Sequence, residues 1–169
     1  MTATISRPKI SNWGTSNIPN LKGKTALITG ANSGLGYYTA KALAAKNAHV
    51  VIACRSLEKA NQTIIKLKGL HPEGIFTPLE LDLSDLKNVV EVQSKIFDDF
   101  ENLDLLINNA GIMHPPKTLS AQGYEIQFAV NHLAHMLLTL KLLPIIEKKE
   151  ESRIVTVTSG AQFFGKVGW

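Results

Sequence analysis

From Lys24 onward, short runs rich in β-branched and aliphatic residues alternate with longer segments whose apolar positions recur every three or four residues. Runs such as TALIT, HVVIA and RIVTVT are too short for amphipathic helices and read as strands buried on both faces, the pattern of a parallel sheet. The spacing predicts strands over 25–29, 49–53, 75–81, 103–107 and 153–158, separated by helices over 34–46, 57–70, 85–100 and 122–148. Strands and helices in strict alternation imply an α/β fold, a doubly wound parallel sheet with helices on both faces. Ser56 before Leu57 and Ser84 before Asp85 fit as helix N-caps, each with an acid in the following turn. A sheet that ended at the fifth strand would leave that strand as an exposed edge.

Composition narrows the class. With 169 residues, 44% hydrophobic and 19% charged, the chain suits one globular domain over 21–169 behind an N-terminal tail over 1–20. The tail is basic and hydroxyl-rich; it lacks the apolar core of a secretory signal, and reads as a solvated end or a faint organelle transit segment. The longest apolar stretch, HLAHMLLTLKLLPII, carries His132, His135, Lys141 and Pro144, so no membrane span is expected. One cysteine, Cys54, precludes an internal disulfide and a cysteine-based zinc site, and suits a reducing, cytoplasmic setting.

The formal charge of +4 is unevenly laid out, because all fourteen acids lie from Glu58 onward while Arg7, Lys9, Lys22, Lys24, Lys41, Lys46 and Arg55 precede it. That stretch would welcome an anionic ligand, or its lysines simply fell on the surface. No basic cluster is interleaved with stacking aromatics, which argues against nucleic acid.

The segment Gly30-Ala31-Asn32-Ser33-Gly34-Leu35-Gly36 joins the first predicted strand to the first helix. Backbone amides in such a turn, together with the helix N-terminus, can hold a diphosphate, and a glycine turn in this βαβ context is a dinucleotide-binding signature. Three residues separate its first two glycines and one the last two. This T-G-x-x-x-G-x-G pattern is followed in order by Asp82-Leu83, Asn108-Asn109-Ala110-Gly111, Asn131 and Ser159. From Leu21 to its last residue the chain resembles the short-chain dehydrogenase/reductase family, nearest its retinol dehydrogenase, WW-domain oxidoreductase and protochlorophyllide-reductase-like group. The resemblance implies a Rossmann-type sheet, here truncated after its fifth strand, and hydride transfer between an alcohol and a carbonyl.

Strand two ends in Ala53-Cys54-Arg55-Ser56, with no acid to accept hydrogen bonds from a ribose 2′-hydroxyl. Arg55 instead offers a fork suited to a 2′-phosphate, so NADP (NADPH) is the expected cofactor, with Lys59 a possible helper. By resemblance, Asp82 and Leu83 border the adenine, Asn109, Ala110 and Gly111 run beside the adenosine ribose, Ser159 polarises the substrate carbonyl, and Asn131 holds a helix and a relay water. Asp82 could alternatively cap a helix, and Asn131 could be a buried helix amide.

Tyr37 and Lys41 match Y-x-x-x-K, the proton-donor pair of the family, yet sit on the helix that follows the glycine turn. They are expected to point away from the face holding Leu35 and Leu43, and to be a coincidence. The chain is therefore expected to stop before the proton donor. The resemblance implies an apolar small-molecule substrate and homo-oligomeric association of the full-length form. A non-catalytic NADP(H)-binding regulatory module or an inert truncated product remain the rival readings. His132 and His135 lie three apart, but no third ligand suggests a metal; His114 falls in a loop bordering the predicted site.

Overall fold

The structure, a computed structural model, describes residues 13–160. Most of the predicted tail (1–12) and the last residues of the predicted domain (161–169) lie outside them. The elements run β1 (Thr25–Thr29), α1 (Gly34–Ala44), β2 (His49–Cys54), α2 (Leu57–Leu70), β3 (Ile75–Glu80), α3 (Leu86–Asp99), β4 (Leu105–Asn108), a long helix (Ile126–Ile146) and β5 (Arg153–Thr156). The five strands form one parallel sheet in the order β3-β2-β1-β4-β5, so the winding reverses between β1 and β4. That is the Rossmann-type arrangement, and the crevice at its reversal point is where such sheets bind ligands.

Strand alternation sends neighbouring residues to opposite faces, and two cores result. Ala26, Ile28, Val50 and Ile52 pack against Ala40 and Leu43 of α1 and Ala60, Ile64 and Leu67 of α2. Leu27, Val51 and Ala53 face the other way, against Val89, Val92 and Ile96 of α3 and Leu138, Leu142 and Ile145 of the long helix. β5 is exposed along its whole length, the open edge that the sequence pattern foreshadows. Asp104 locks the start of the central strands: its carboxylate accepts the Thr25 N–H at 2.9 Å and pairs with Lys24 at 3.0 Å.

Several boundaries move for identifiable reasons. The N-cap of α3 is Asp85, whose carboxylate accepts the Lys87 amide at 2.9 Å, because Ser84 is turned back onto Asp82. Ser56 does cap α2, accepting the Lys59 amide. The long helix starts at Ile126 rather than 122, since Glu125 caps the amides of Gln127 and Phe128 while Gln122 bonds Asp85 and the Leu86 amide. Its first turn, Ile126–Phe128, passes through a π-turn, Ala129–Leu133, into the α-helical stretch Ala134–Ile146. At 21 residues with a mean hydropathy of 1.4, this helix is long and apolar enough to cross a membrane by length and composition alone, a test that a core helix packed within a fold passes as well. The apolar character has a local cause, because Ala134, Leu138, Leu142 and Ile145 are buried against the sheet and α3.

Two outcomes follow for the folded chain. Leu27→Ala, on the fully buried central strand, lowers the free energy of unfolding in urea by about 2–5 kcal/mol. Ile154→Ala, on the open edge, lowers it by about 1 kcal/mol or less. Desolvation holds the half-buried His49 and the buried His135 below the ordinary imidazole value of 6.5. The fold accommodates the neutral rings, so below that value the unfolded chain takes up protons first. Their contribution to stability is complete above pH 6.5 and declines as the pH falls below it, read as a lower urea midpoint at pH 5.5 than at pH 7.5.

Candidate functional site

At the end of β1 the chain turns through Gly30, with φ of +66°, and donates the Gly30 amide to the Ala53 carbonyl of β2 at 2.8 Å. A Cβ on Gly30 would stand 2.9 Å from the Ala110 Cα, and one on Gly36 would collide with the Gly30 carbonyl and, at 2.6 Å, with Asn109 Nδ2. These two glycines let α1 and the segment after β4 close on the end of β1. Gly34 differs: its φ is +52° and, its chain neighbours and own helix backbone aside, nothing lies within 4 Å of where its Cβ would be. Ser33 precedes α1 without capping it through its side chain, and no acid stands in the first turn. The amides of that first turn have no intrahelical acceptor, which leaves them for an anion.

The turn opens into a cleft of about 530 Å³ at the carboxyl end of the sheet. Gly30, Asn32, Ala110 and Gly111 line it together with Arg55, Lys59, Asp82 and Leu83. Among the described residues no carboxylate pairs with Arg55 or Lys59. Lys59 stands in the first turn of α2, the end where a cation is least favoured by the helix dipole. Asp82 Oδ1 accepts from the Ser84 amide at 2.9 Å and its hydroxyl at 2.6 Å, forming a local turn rather than a helix cap. Cys54 also lines the cleft; burial pushes its thiol up, and it donates to the Ser56 carbonyl at 3.2 Å. It is a structural thiol rather than a nucleophile.

Other predicted site residues act from behind this wall. Ser33, Gly34, Leu35 and Gly36 form the helix entry and do not line the cleft, and Leu35 is exposed. Asn109 donates its amide group to the Thr29 carbonyl at 2.9 Å, holding the turn. Asn131 is exposed rather than a buried helix amide, and both ends of its side chain bond Ile112: Oδ1 accepts the Ile112 N–H and Nδ2 donates to the Ile112 carbonyl, each at 2.9 Å. Ser159 lies past β5 at the carboxyl end of the sheet, on an exposed segment tied to β4 by the Val157 amide and the Asn108 carbonyl. Neither Asn131 nor Ser159 lines the cleft.

Tyr37 is the reverse of what its helix position suggests. It packs against the core shared by α1 and α2, while Leu35 points to solvent, because the inward stripe of α1 is Gly36, Ala40, Leu43 and Ala44. Tyr37 and Lys41 are absent from the cleft wall. His132 stacks on Phe128 in solvent and His135 is buried, so the two do not converge on one point. The residue that sequence reasoning overlooked is Thr29, whose hydroxyl accepts the amides of Asn109 and Ala110, each at 2.9 Å. Its only signal was its place immediately before Gly30.

A short chain dehydrogenase family profile matches residues 24–169. Retinol dehydrogenase 13 of Homo sapiens is 39% identical over 147 residues, covering 87% of this chain and 44% of that protein. Retinol dehydrogenase 14 of Mus musculus is 40% identical over 159 residues, covering 88% and 48%. The chain thus spans about half the length of these relatives. Among solved structures, the Pseudomonas aeruginosa RhlG/NADP active-site complex superposes with a TM-score of 0.73 at 25% identity, over 89% of this chain and 59% of that one. A short chain dehydrogenase from Escherichia coli CFT073 complexed with NADPH gives 0.75 at 25% identity, over 87% and 63%. With its glycine turn at the reversal point of a 3-2-1-4-5 sheet and this profile over most of its length, the chain belongs to the short chain dehydrogenase family.

Proposed function

We propose that this chain is the nucleotide-binding part of an NADP-dependent oxidoreductase that interconverts an alcohol and a carbonyl. The observation that carries the reading is the cleft itself, whose wall combines Gly30 and Asn32 of the glycine turn with two cations, Arg55 and Lys59, that have no paired carboxylate among the described residues. The residues fit a dinucleotide: the space at Gly34, the first-turn amides of α1 and the uncapped Ser33 suit a diphosphate, and the Arg55 fork suits a 2′-phosphate. Asp82 and Leu83 would border the adenine, and Ala110 and Gly111 the adjoining ribose. A side chain at Gly111 would meet Asn131 only at ordinary contact distance, 3.5 Å, so this glycine answers to a ligand's approach more than to the protein's packing.

When bound, the nicotinamide supplies or accepts the hydride. Ser159 is assigned to polarise the substrate carbonyl, and Asn131 to hold the Ile112 backbone that follows the ribose segment. The names of the curated relatives support an apolar alcohol or aldehyde as substrate, and the NADP and NADPH of the solved complexes support the cofactor.

Fluorescence titration of the 169-residue chain tests the cofactor. NADPH binds more tightly than NADH, and Arg55→Asp removes the preference by weakening NADPH at least tenfold, on the order of 1.4 kcal/mol. Equal affinities for the two nucleotides before and after the substitution would overturn the assignment. Gly36→Ala forces the Gly30 carbonyl and Asn109 aside, and abolishes binding of both nucleotides in the same titration.

A further inference from the structure

Beneath the cleft lies a buried polar chain that reaches from the glycine turn into the long helix. The Thr29 hydroxyl sits 2.9 Å from His135 Nε2, 2.9 Å from each of the amides of Asn109 and Ala110, and 3.5 Å from the Ile107 carbonyl. On its other side, His135 Nδ1 faces the Asn131 carbonyl at 3.3 Å, inside the π-turn. His135 is 4% exposed and is absent from the cleft wall, whereas Thr29, Ala110, Gly111 and Ile112 belong to that wall.

The chemistry of these partners fixes every proton. A carbonyl only accepts, so Nδ1 must carry the ring proton toward Asn131. Burial favours the neutral ring, which leaves Nε2 as a bare acceptor. The single Thr29 hydroxyl proton has two acceptors to choose from, Nε2 at 2.9 Å and the Ile107 carbonyl at 3.5 Å; it goes to the nearer, Nε2, and the oxygen keeps both lone pairs for Asn109 and Ala110. The opposite tautomer would set two acceptors face to face at Nδ1 and press a third donor on an oxygen already accepting two.

We propose that His135 is a positioning residue for the nucleotide cleft: by accepting the Thr29 hydroxyl proton it holds the Asn109–Ala110 backbone in register, and by donating to Asn131 it couples that backbone to the π-turn. The proposal rests on the reading of the cleft as a dinucleotide site. Asn131 completes the circuit, because its side chain grips Ile112, one residue beyond Gly111. The segment 109–112 is thus held at both ends by residues that answer to one imidazole.

The test uses the ¹⁵N-labelled 169-residue chain. Multiple-bond ¹H–¹⁵N spectra of His135 should show the proton on Nδ1 and none on Nε2; an Nε2-protonated ring would overturn the proposal. His135→Leu should speed amide exchange at Asn109 and Ala110 by about tenfold or more, beyond any change at Leu27 and Val51 of the central strands. His135→Gln, which keeps a donor and an acceptor, should recover part of that protection. Thr29→Val combined with His135→Leu should exchange no faster at these two amides than Thr29→Val alone. Equal acceleration at Leu27 and Val51, or additive effects in the double variant, would make His135 a core residue only. In the same variants the NADPH dissociation constant should rise about tenfold for His135→Leu and less for His135→Gln. Failure of the unsubstituted chain to bind NADPH would sink the functional reading, while the tautomer and exchange measurements would still decide the role of His135. If His135→Leu does not fold, the ring spectrum and the exchange of Thr29→Val decide it.

Discussion

The close approach of α1 to the end of β1 at Gly36 is the constraint on which the site depends. The Gly30 carbonyl and the Asn109 amide group occupy the space a Cβ would need, so three separate elements meet there with almost no side chain between them. β1 and β4 are hydrogen-bonded neighbours, and the strand order reverses between them. The contact therefore places the start of α1 beside the end of β1 at the crevice where the strand order reverses, next to the wall that Gly30, Ala110 and Gly111 form. A side chain at position 36 would force α1 away from the Gly30 carbonyl and Asn109.

Around that contact the polar groups divide into two sets. Thr29, Asn109, Asn131 and His135 bond to the protein's own backbone and to each other. Arg55 and Lys59 line the cleft, with no carboxylate paired to either among the described residues. Buried polar chains stabilise only when each member is satisfied, and the Thr29 oxygen accepts two amides and lies 2.9 Å from His135 Nε2. The first set gives the wall its shape, and the second leaves unpaired positive charge on it. Substitutions in the two sets are thus separable in principle: one alters backbone order before binding, the other alters charge complementarity after it.

Much of the fold was legible because its determinants are local. The five strands appear where β-branched runs predict them. The glycine turn was legible for the same reason: contacts between residues 30, 36 and 109 demand particular residue types inside a short, recognisable segment. Helix starts were less so. Ser84 and Asp85 could each cap α3, and the choice falls to Asp85 because Asp82 holds Ser84 and Gln122 braces Asp85 from 37 residues away. The orientation of Tyr37 escaped because α1 turns its small residues inward, leaving an aromatic at the margin of the stripe. His135 was readable only as a core histidine, since its partner Thr29 lies 106 residues away and no periodicity connects them.

The acid-free first third of the chain raised two readings, an anion-binding surface or an accident of composition, and the structure separates them residue by residue. Lys24 pairs with Asp104 at 3.0 Å and lies 3.8 Å from Glu151, so acids from the far end of the chain neutralise it. Lys46 donates to the Ser16 carbonyl at 3.3 Å, bracing residues before β1 against the end of α1. Lys41 lies along the groove beside Tyr38, away from the cleft. Arg55 alone among these described cations lines the cleft, where Lys59 from beyond the acid-free stretch joins it. Screening limits exposed charges to about 10 Å at ordinary salt, so the dispersed lysines contribute little to the field at the glycine turn. Among the described cations of this stretch and its border, Arg55 and Lys59 are the ones on the cleft wall, while Lys24 and Lys46 make contacts within the fold.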